Sequence, residues 1–252
     1  MPSNDSTSWG HVAPWYERLL QDEDTPQRQV ILPHLLRLME IKKTDTIVDV
    51  ACGSGFFTKA WVEAGAKKVI GADIGEELIE FAKTIAPDAT FFVASADAMP
   101  DIKKASADKM TMVLALQNIE NAQAVCAEVA RILKPGGKFY LVLNHPAFRI
   151  PRASGWGWDQ ENWVQYRRVD AYLAESKHRI QMHPGDAPDV TTISFHRPFQ
   201  YYFKAFNKAG LCVRRMEEWT SHKLSDSGPR ADAENVARKE IPIFVCLEIA
   251  HQ

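Results

Sequence analysis

Several features that would fix a protein's class at a glance are scarce or missing in this chain. Its 252 residues hold four cysteines, Cys52, Cys126, Cys212 and Cys246, with no C-x-x-C pair among them. That spacing argues against a zinc site and against a disulfide framework. No run of 18 or more apolar residues occurs, and Met1-Pro-Ser-Asn-Asp has neither the basic nor the apolar region of a secretory leader, so a cytoplasmic protein without a membrane anchor is expected. The net charge is only -2, which gives no broad basic field for a phosphate backbone, and nucleic acid is not expected as a partner. Repeats and low-complexity tracts are also absent. What is left, 46% hydrophobic and 25% charged residues, suits one core with an elaboration better than two domains.

The most informative stretch is Thr46-Ile-Val-Asp-Val-Ala-Cys-Gly-Ser-Gly-Phe-Phe57. β-Branched Ile47, Val48 and Val50 suit a strand buried on both faces, while Gly53 and Gly55 allow positive φ and close approach of a ligand to the backbone. Thr58 onward reads as helix, so the turn sits at the carboxyl end of a strand, where ligands bind in open α/β sheets. A second short strand, Lys68-Val-Ile-Gly-Ala-Asp73, ends in an acid roughly 20 residues beyond the glycines, placed to accept ribose hydroxyls. Dinucleotide-binding enzymes share that logic. Two details separate them from this chain: Thr58 stands where G-x-G-x-x-G wants a third glycine, and Asp49 precedes the glycines, where its charge repels a pyrophosphate and suits a cation. A sulfonium carrying an amino group is such a ligand. A plain strand-to-helix turn without a ligand is the other reading of this stretch taken alone.

Asp49-Val-Ala-Cys-Gly-Ser-Gly55 resembles the first motif of the class I S-adenosylmethionine-dependent methyltransferases, of the small-molecule type and similar to the ubiquinone and menaquinone biosynthesis group. Three further segments follow in that family's order: Phe91-Phe-Val-Ala-Ser-Ala-Asp-Ala-Met-Pro100, Asp108 to Asn118, and Leu133 to Leu143. The resemblance implies an α/β, Rossmann-like, doubly wound seven-stranded sheet with an antiparallel last strand and helices on both faces. It implies S-adenosyl-L-methionine as cofactor, with S-adenosyl-L-homocysteine as product, and no metal. Asp49, Ala51, Gly53, Gly55, Asp73, Ile74, Asp97, Ala98, Leu116 and Gln117 are then the expected cofactor-binding positions. Asp97 is expected to face the adenine amino group, and the Ala98 amide to approach a ring nitrogen.

Residues 1–44 read as amino-terminal cap helices and 45–252 as the methyltransferase domain. Apolar residues recur at helical spacing from Pro14 to Glu40, with a break at Gln21-Asp-Glu-Asp-Thr-Pro26. Further helices are expected at Glu76 to Thr84, at Asn121 to Leu133 with Lys134-Pro-Gly-Gly137 as a stop, and at Pro198 to Ala209. Cys212 to Trp219 and Ile241 to Ile249 read as late strands. Residues 144–197 are not needed by the minimal fold. They leave the carboxyl end of the fifth strand and carry Trp156, Trp158, Trp163, Tyr166 and Tyr172 among Arg149, Arg152, Arg167, Arg168 and Arg179, which suggests a lid over a substrate. A small private core for the insertion is the competing explanation.

Tyr16, Asn118, Arg149, Trp156, Trp158, Tyr166 and Arg197 are the candidate substrate contacts. His145 and His196 have intrinsic pKa values suited to a base, which is needed only if the acceptor is protonated at neutral pH. The expected reaction moves a methyl group to an O, N or C atom of a small planar metabolite, in a monomer or homodimer. RNA or protein methylation and a non-catalytic cofactor-binding role are the alternatives. Asn144-His-Pro-Ala-Phe148 looks like the motif of amino-methylating enzymes, but it follows the fifth strand rather than the fourth.

Overall fold

The computed structural model describes residues 23–183 and 187–252; Tyr16 and the rest of residues 1–22 lie outside them. A π-helical turn, Gln27–Ile31, leads into α1, Leu32–Met39. There follow β1 (Thr46–Val50), α2 (Phe56–Glu63), β2 (Lys68–Asp73), α3 (Glu76–Ile85), β3 (Thr90–Val93) and β4 (Ala107–Val113). A 3-10 turn (Leu116–Asn118), α4 (Ala122–Ile132) and β5 (Leu133–Asn144) complete this alternating half. Two hairpins, β6 (Ser154–Asp159) with β7 (Val164–Val169) and β8 (Ser176–His183) with β9 (Ala187–His196), precede α5 (Phe199–Lys208), β10 (Leu211–Trp219), α6 (Ala231–Glu240) and β11 (Phe244–His251).

Seven strands form one sheet in the order β10-β11-β5-β4-β1-β2-β3. The first five strands pair parallel to one another, and β11 runs antiparallel to both β5 and β10. This is the doubly wound arrangement that the motifs implied. The period of two along each strand sends neighbouring residues to opposite faces. Ile47, Val69, Tyr140 and Val142 pack with α1 and α2 on one side, while Val48, Ile70, Leu141 and Met110 pack with α4 and α5 on the other. A strand covered on both faces has no polar side to show, which is why β1 reads as a continuous apolar run interrupted only by Asp49.

Two departures from the sequence reading have local causes. The helix α4 does end before Lys134-Pro-Gly-Gly137, at Ile132, but that stop is also the irregular start of β5, where pairing jumps from Ala107 with Leu133 to Lys109 with Lys138. Residues 144–197 hold two hairpins that hydrophobic pattern alone did not reveal. In the first, Gly157 lies so close under Tyr166 that an added Cβ would sit 2.3 Å from its ring, and Asp159 accepts the Glu161 and Asn162 amides to close the turn.

At the amino-terminal edge of the sheet, Lys109 of β4 pairs with Asp45, both almost fully buried, and Asp45 also accepts the Lys42 amide at 2.7 Å. Removing one partner strands a charge away from water. Lys109→Met is expected to lower unfolding free energy by about 3 to 5 kcal/mol, read by chemical denaturation. A loss below about 1 kcal/mol would contradict this assignment.

Candidate active site

Because β1 to β5 are parallel, the turns that follow them lie along one edge of the sheet, and strand order reverses between β1 and β4. Such a reversal opens a crevice at the carboxyl ends. Chain direction changes sharply there: Ala51, Gly53 and Gly55 after β1 all have positive φ, as does Leu114 after β4. A Cβ on Gly55 would come within 3.0 Å of Ala82, so glycine is required for packing as well as for φ. Ala51 and Leu114 hold left-handed conformations at a cost of roughly 1 to 2 kcal/mol each, strain of the kind that collects at functional sites.

Two buried carboxylates flank this crevice. Asp49 accepts Thr58 Oγ1–H and Thr111 Oγ1–H, both at 2.7 Å, and Thr111 in turn accepts the Trp61 indole N–H at 3.2 Å. Thr58, noted in the sequence only as a missing glycine, is thus the residue that ties α2 to β1. Asp73 accepts the amides of Gly53 and Gly75, each at 2.9 Å, and so fixes the glycine turn to the tip of β2. Burial pushes the Asp49 carboxyl up to about 6, against the two hydroxyl hydrogen bonds, and the charge of Asp73 adds to the rise. Burial also raises Asp73, opposed by the Gly75, Gly53 and Ile74 amides. No cation among the described residues acts on either. The pair therefore suits a ligand that is cationic and rich in hydroxyl donors.

The remaining expected cofactor positions cluster on the same edge. Asp97 accepts Ser95 Oγ–H at 2.5 Å, in a loop clamped by Arg131, which donates to the Met99 and Ile102 carbonyls while pairing with Glu128.

 Ile74 leaves 61% of its surface uncovered beside Asp73, an apolar side chain with room for a flat partner, and Ala98 is exposed next to Asp97. Leu116 and Gln117 lie in the 3-10 turn after β4, and Gln117 donates Nε2–H to the Leu114 carbonyl at 2.7 Å. Its other side-chain atom, Oε1, is buried without a hydrogen-bond partner in the protein, so it lacks a donor that a ligand can supply.

A cavity of about 320 Å³ adjoins this edge, lined by Gln117, Asn144, Arg149, Arg167, His196 and Arg197 among others. Of the candidate substrate contacts it brings together Arg149 and Arg197. Asn118, Trp156, Trp158 and Tyr166 do not line it. Trp158 is taken up by Trp163 at 5.4 Å and by the Arg230 guanidinium at 4.5 Å, and Trp156 stacks on Arg167 at 5.1 Å. These aromatics stack across the surface of the first hairpin, where Trp156, Trp163 and Tyr166 keep 41%, 51% and 47% of their surface uncovered. Arg197 serves the turn after β4, donating to the carbonyls of Leu116, Ile119 and Glu120.

The two histidines differ. His145 is buried with both ring nitrogens engaged: Nε2–H donates to Glu218 at 2.7 Å, and Nδ1 accepts the Ala147 and Phe148 amides. It caps the turn leaving β5. His196 donates Nε2–H to the Tyr172 carbonyl at 2.8 Å, which leaves Nδ1 as its basic nitrogen, and it lines the cavity. Burial lowers both imidazoles below their ordinary pKa, so both stay neutral at neutral pH.

The raised pKa of Asp49 has a consequence for stability. The folded state holds this proton more tightly than the unfolded chain, so stability falls as pH rises from about 4 through about 6. Asp49→Asn removes that dependence. The stability of the variant relative to the ligand-free parent should increase by about 2 to 3 kcal/mol between pH 4 and pH 7.5, measured by urea denaturation. Parallel pH profiles would contradict it.

Comparison with known proteins agrees with this edge. A family model described as a methyltransferase domain matches residues 48–141. The ubiquinone/menaquinone biosynthesis C-methyltransferase of Acidiphilium cryptum is 30% identical over 41% of this chain and 43% of its own length. A demethylmenaquinone methyltransferase of Lactococcus lactis is 28% identical over 66% of this chain and 65% of its own. The chain thus spans less than two thirds of these relatives. An S-adenosylmethionine-dependent methyltransferase structure from Mesorhizobium loti aligns with a TM-score of 0.68 at 25% identity, covering 86% of this chain and 95% of that one. Strand order, motif positions and these likenesses agree: residues 48–141 match a methyltransferase domain, carried on a fold shared with S-adenosylmethionine-dependent methyltransferases.

Proposed function

We propose that this protein is a methyltransferase that uses S-adenosyl-L-methionine to methylate an O, N or C atom of a small molecule. The observation that carries the reading is the pair of buried carboxylates, Asp49 and Asp73, with no cation among the described residues acting on them at the switch point of the sheet. Asp73 is assigned to the ribose hydroxyls, Ile74 to one face of the adenine, and Asp97 with the Ala98 amide to its edge. Asp49 acts through its charge, since each of its oxygens already accepts a hydroxyl. Gln117 Oε1 is assigned to a donor on the cofactor or the acceptor. A cavity of about 320 Å³ lies at the small end of ligand pockets, which favours a metabolite over a protein or RNA segment. Residues 45–252 then form the catalytic domain, with 144–197 over the acceptor.

When bound, S-adenosyl-L-methionine would supply a methyl on a sulfonium, an electrophilic carbon whose leaving group is already activated. The protein's part is alignment, water exclusion and removal of a proton when the acceptor carries one. His196 is assigned that proton: the Tyr172 carbonyl fixes its tautomer, and Nδ1 is its basic atom.

Calorimetry tests the cofactor assignment. Asp73→Ala should weaken S-adenosyl-L-methionine binding by about 1.5 to 3 kcal/mol, the range for hydrogen bonds to a charged group; unchanged affinity would sink the role given to Asp73. Labelled cofactor incubated with fractionated cell extract should label a small-molecule fraction. Label in RNA or protein, or binding without any transfer, would overturn the acceptor class or the enzymatic reading. With an acceptor in hand, transfer should be level near pH 7 and fall only below about pH 6.5, because burial lowers the His196 pKa from its ordinary value. His196→Gln should remove that acid limb along with most of the rate.

A further inference from the structure

The cavity beside Gln117 has an unusual charge inventory. Among the described residues, four arginines line it, Arg149, Arg152, Arg167 and Arg197, and no aspartate or glutamate does. Among the described residues, none of the four forms an ion pair. The cavity is partly open, with Arg149 and Arg152 exposed, Arg167 half-buried and Arg197 buried; cations gathered without a counter-ion repel one another. Their arrangement is nevertheless built. Arg167 donates Nε–H to the Phe148 carbonyl at 2.7 Å and Nη2–H to Ser154 Oγ at 2.9 Å, with Trp156 against its face. Arg149 donates Nη1–H to Asn144 Oδ1 at 2.8 Å and lies over Phe244 at 5.7 Å. Enclosure by the protein and then the charge of Arg167 lower the Arg149 pKa, so the two guanidinium groups feel each other. Arg197 spends its donors on carbonyls and adds only its charge. Neutral partners thus fix the directions of Arg149 and Arg167 while leaving Arg149 Nε and Nη2 and Arg167 Nη1 without a protein acceptor.

We propose that the acceptor is an oxyanion, a small molecule bearing a carboxylate or a phosphate, whose anionic group is held jointly by Arg149 and Arg167. Carboxylate and phosphate oxygens both pair bidentately with guanidinium donors, and no carboxylate among the described lining residues competes for that charge. The inference rests on the methyltransferase reading of the adjoining edge and names its acceptor class. It also divides the site by charge: acids on the side of a cationic donor, arginines on the side of an anionic acceptor.

Titration of the full chain with benzoate, with inorganic phosphate and with uncharged benzyl alcohol, each with and without S-adenosyl-L-homocysteine, tests it. Benzoate, phosphate or both should bind at least tenfold more tightly than benzyl alcohol, and added NaCl should weaken the binding; which anion wins identifies the group. Arg149→Gln should weaken anion binding at least tenfold while leaving S-adenosyl-L-homocysteine affinity within about twofold. Arg149 carries a single side-chain hydrogen bond, so this variant is suited to folding normally, and its melting curve checks that. Arg167→Lys should retain more anion binding than Arg167→Gln. Anions that bind no better than the alcohol, or variants that bind them like the parent, would overturn the proposal. Failure to bind S-adenosyl-L-homocysteine would instead strike the methyltransferase reading and leave the anion result to be judged separately.

Discussion

The active-site edge is organised around one buried carboxylate. Asp49 sits within an interior strand of a sheet covered on both faces, and among the described residues its compensation is neutral, the hydroxyls of Thr58 from α2 and Thr111 from β4 with the Thr58 amide. The two hydroxyl bonds join three elements at the point where strand order reverses. With Asp73 they place two acids in a region from which water is largely removed. A sequence that needed only stability would gain from an apolar residue there, because a buried charge without a partner opposes folding. The cost is understandable if the compensating charge arrives with the ligand.

Much of the surrounding structure holds this arrangement still. Asp73 pins the glycine turn through the Gly53 and Gly75 amides, Arg131 clamps the loop carrying Asp97, and Arg197 clamps the turn carrying Gln117. Each clamp spends charged or polar groups on backbone, which fixes geometry without occupying the crevice. On the far side of Gln117 the sign of the charge changes, and the arginines of the cavity stand where the acids of the crevice end.

The sheet was legible in the sequence because its strands are buried on both faces and end in turns with strong backbone demands. The positive φ at Gly53 and Gly55 could be anticipated from residue type; that of Ala51 and Leu114 could not, since neither residue favours it. Asp49 was legible as a negative charge before the glycines, whereas its partners were not. Thr58 lies 9 residues away and Thr111 62, and only folding brings them together. The insertion was read least well. Its aromatic and arginine content suggested a lid; Trp156 and Trp158 are occupied by Arg167 and Arg230, and the insertion's share of the cavity wall comes from other parts of it, the loop after β5 and residues of β7, β8 and β9. His145, equally suited by residue type to be a base, is consumed by Glu218 and two amides; nothing local in the sequence distinguishes it from His196.

The central claim is that a cationic cofactor supplies the charge Asp49 lacks. Such a ligand lowers the carboxyl pKa on binding, so a proton held by part of the population near pH 6 must be released. Calorimetric titration of S-adenosyl-L-methionine in buffers of different ionisation enthalpy counts that proton. The account predicts net release near pH 6 that fades by pH 8, with affinity rising over the same interval. Proton uptake, or binding that is indifferent to pH across this range, would contradict it.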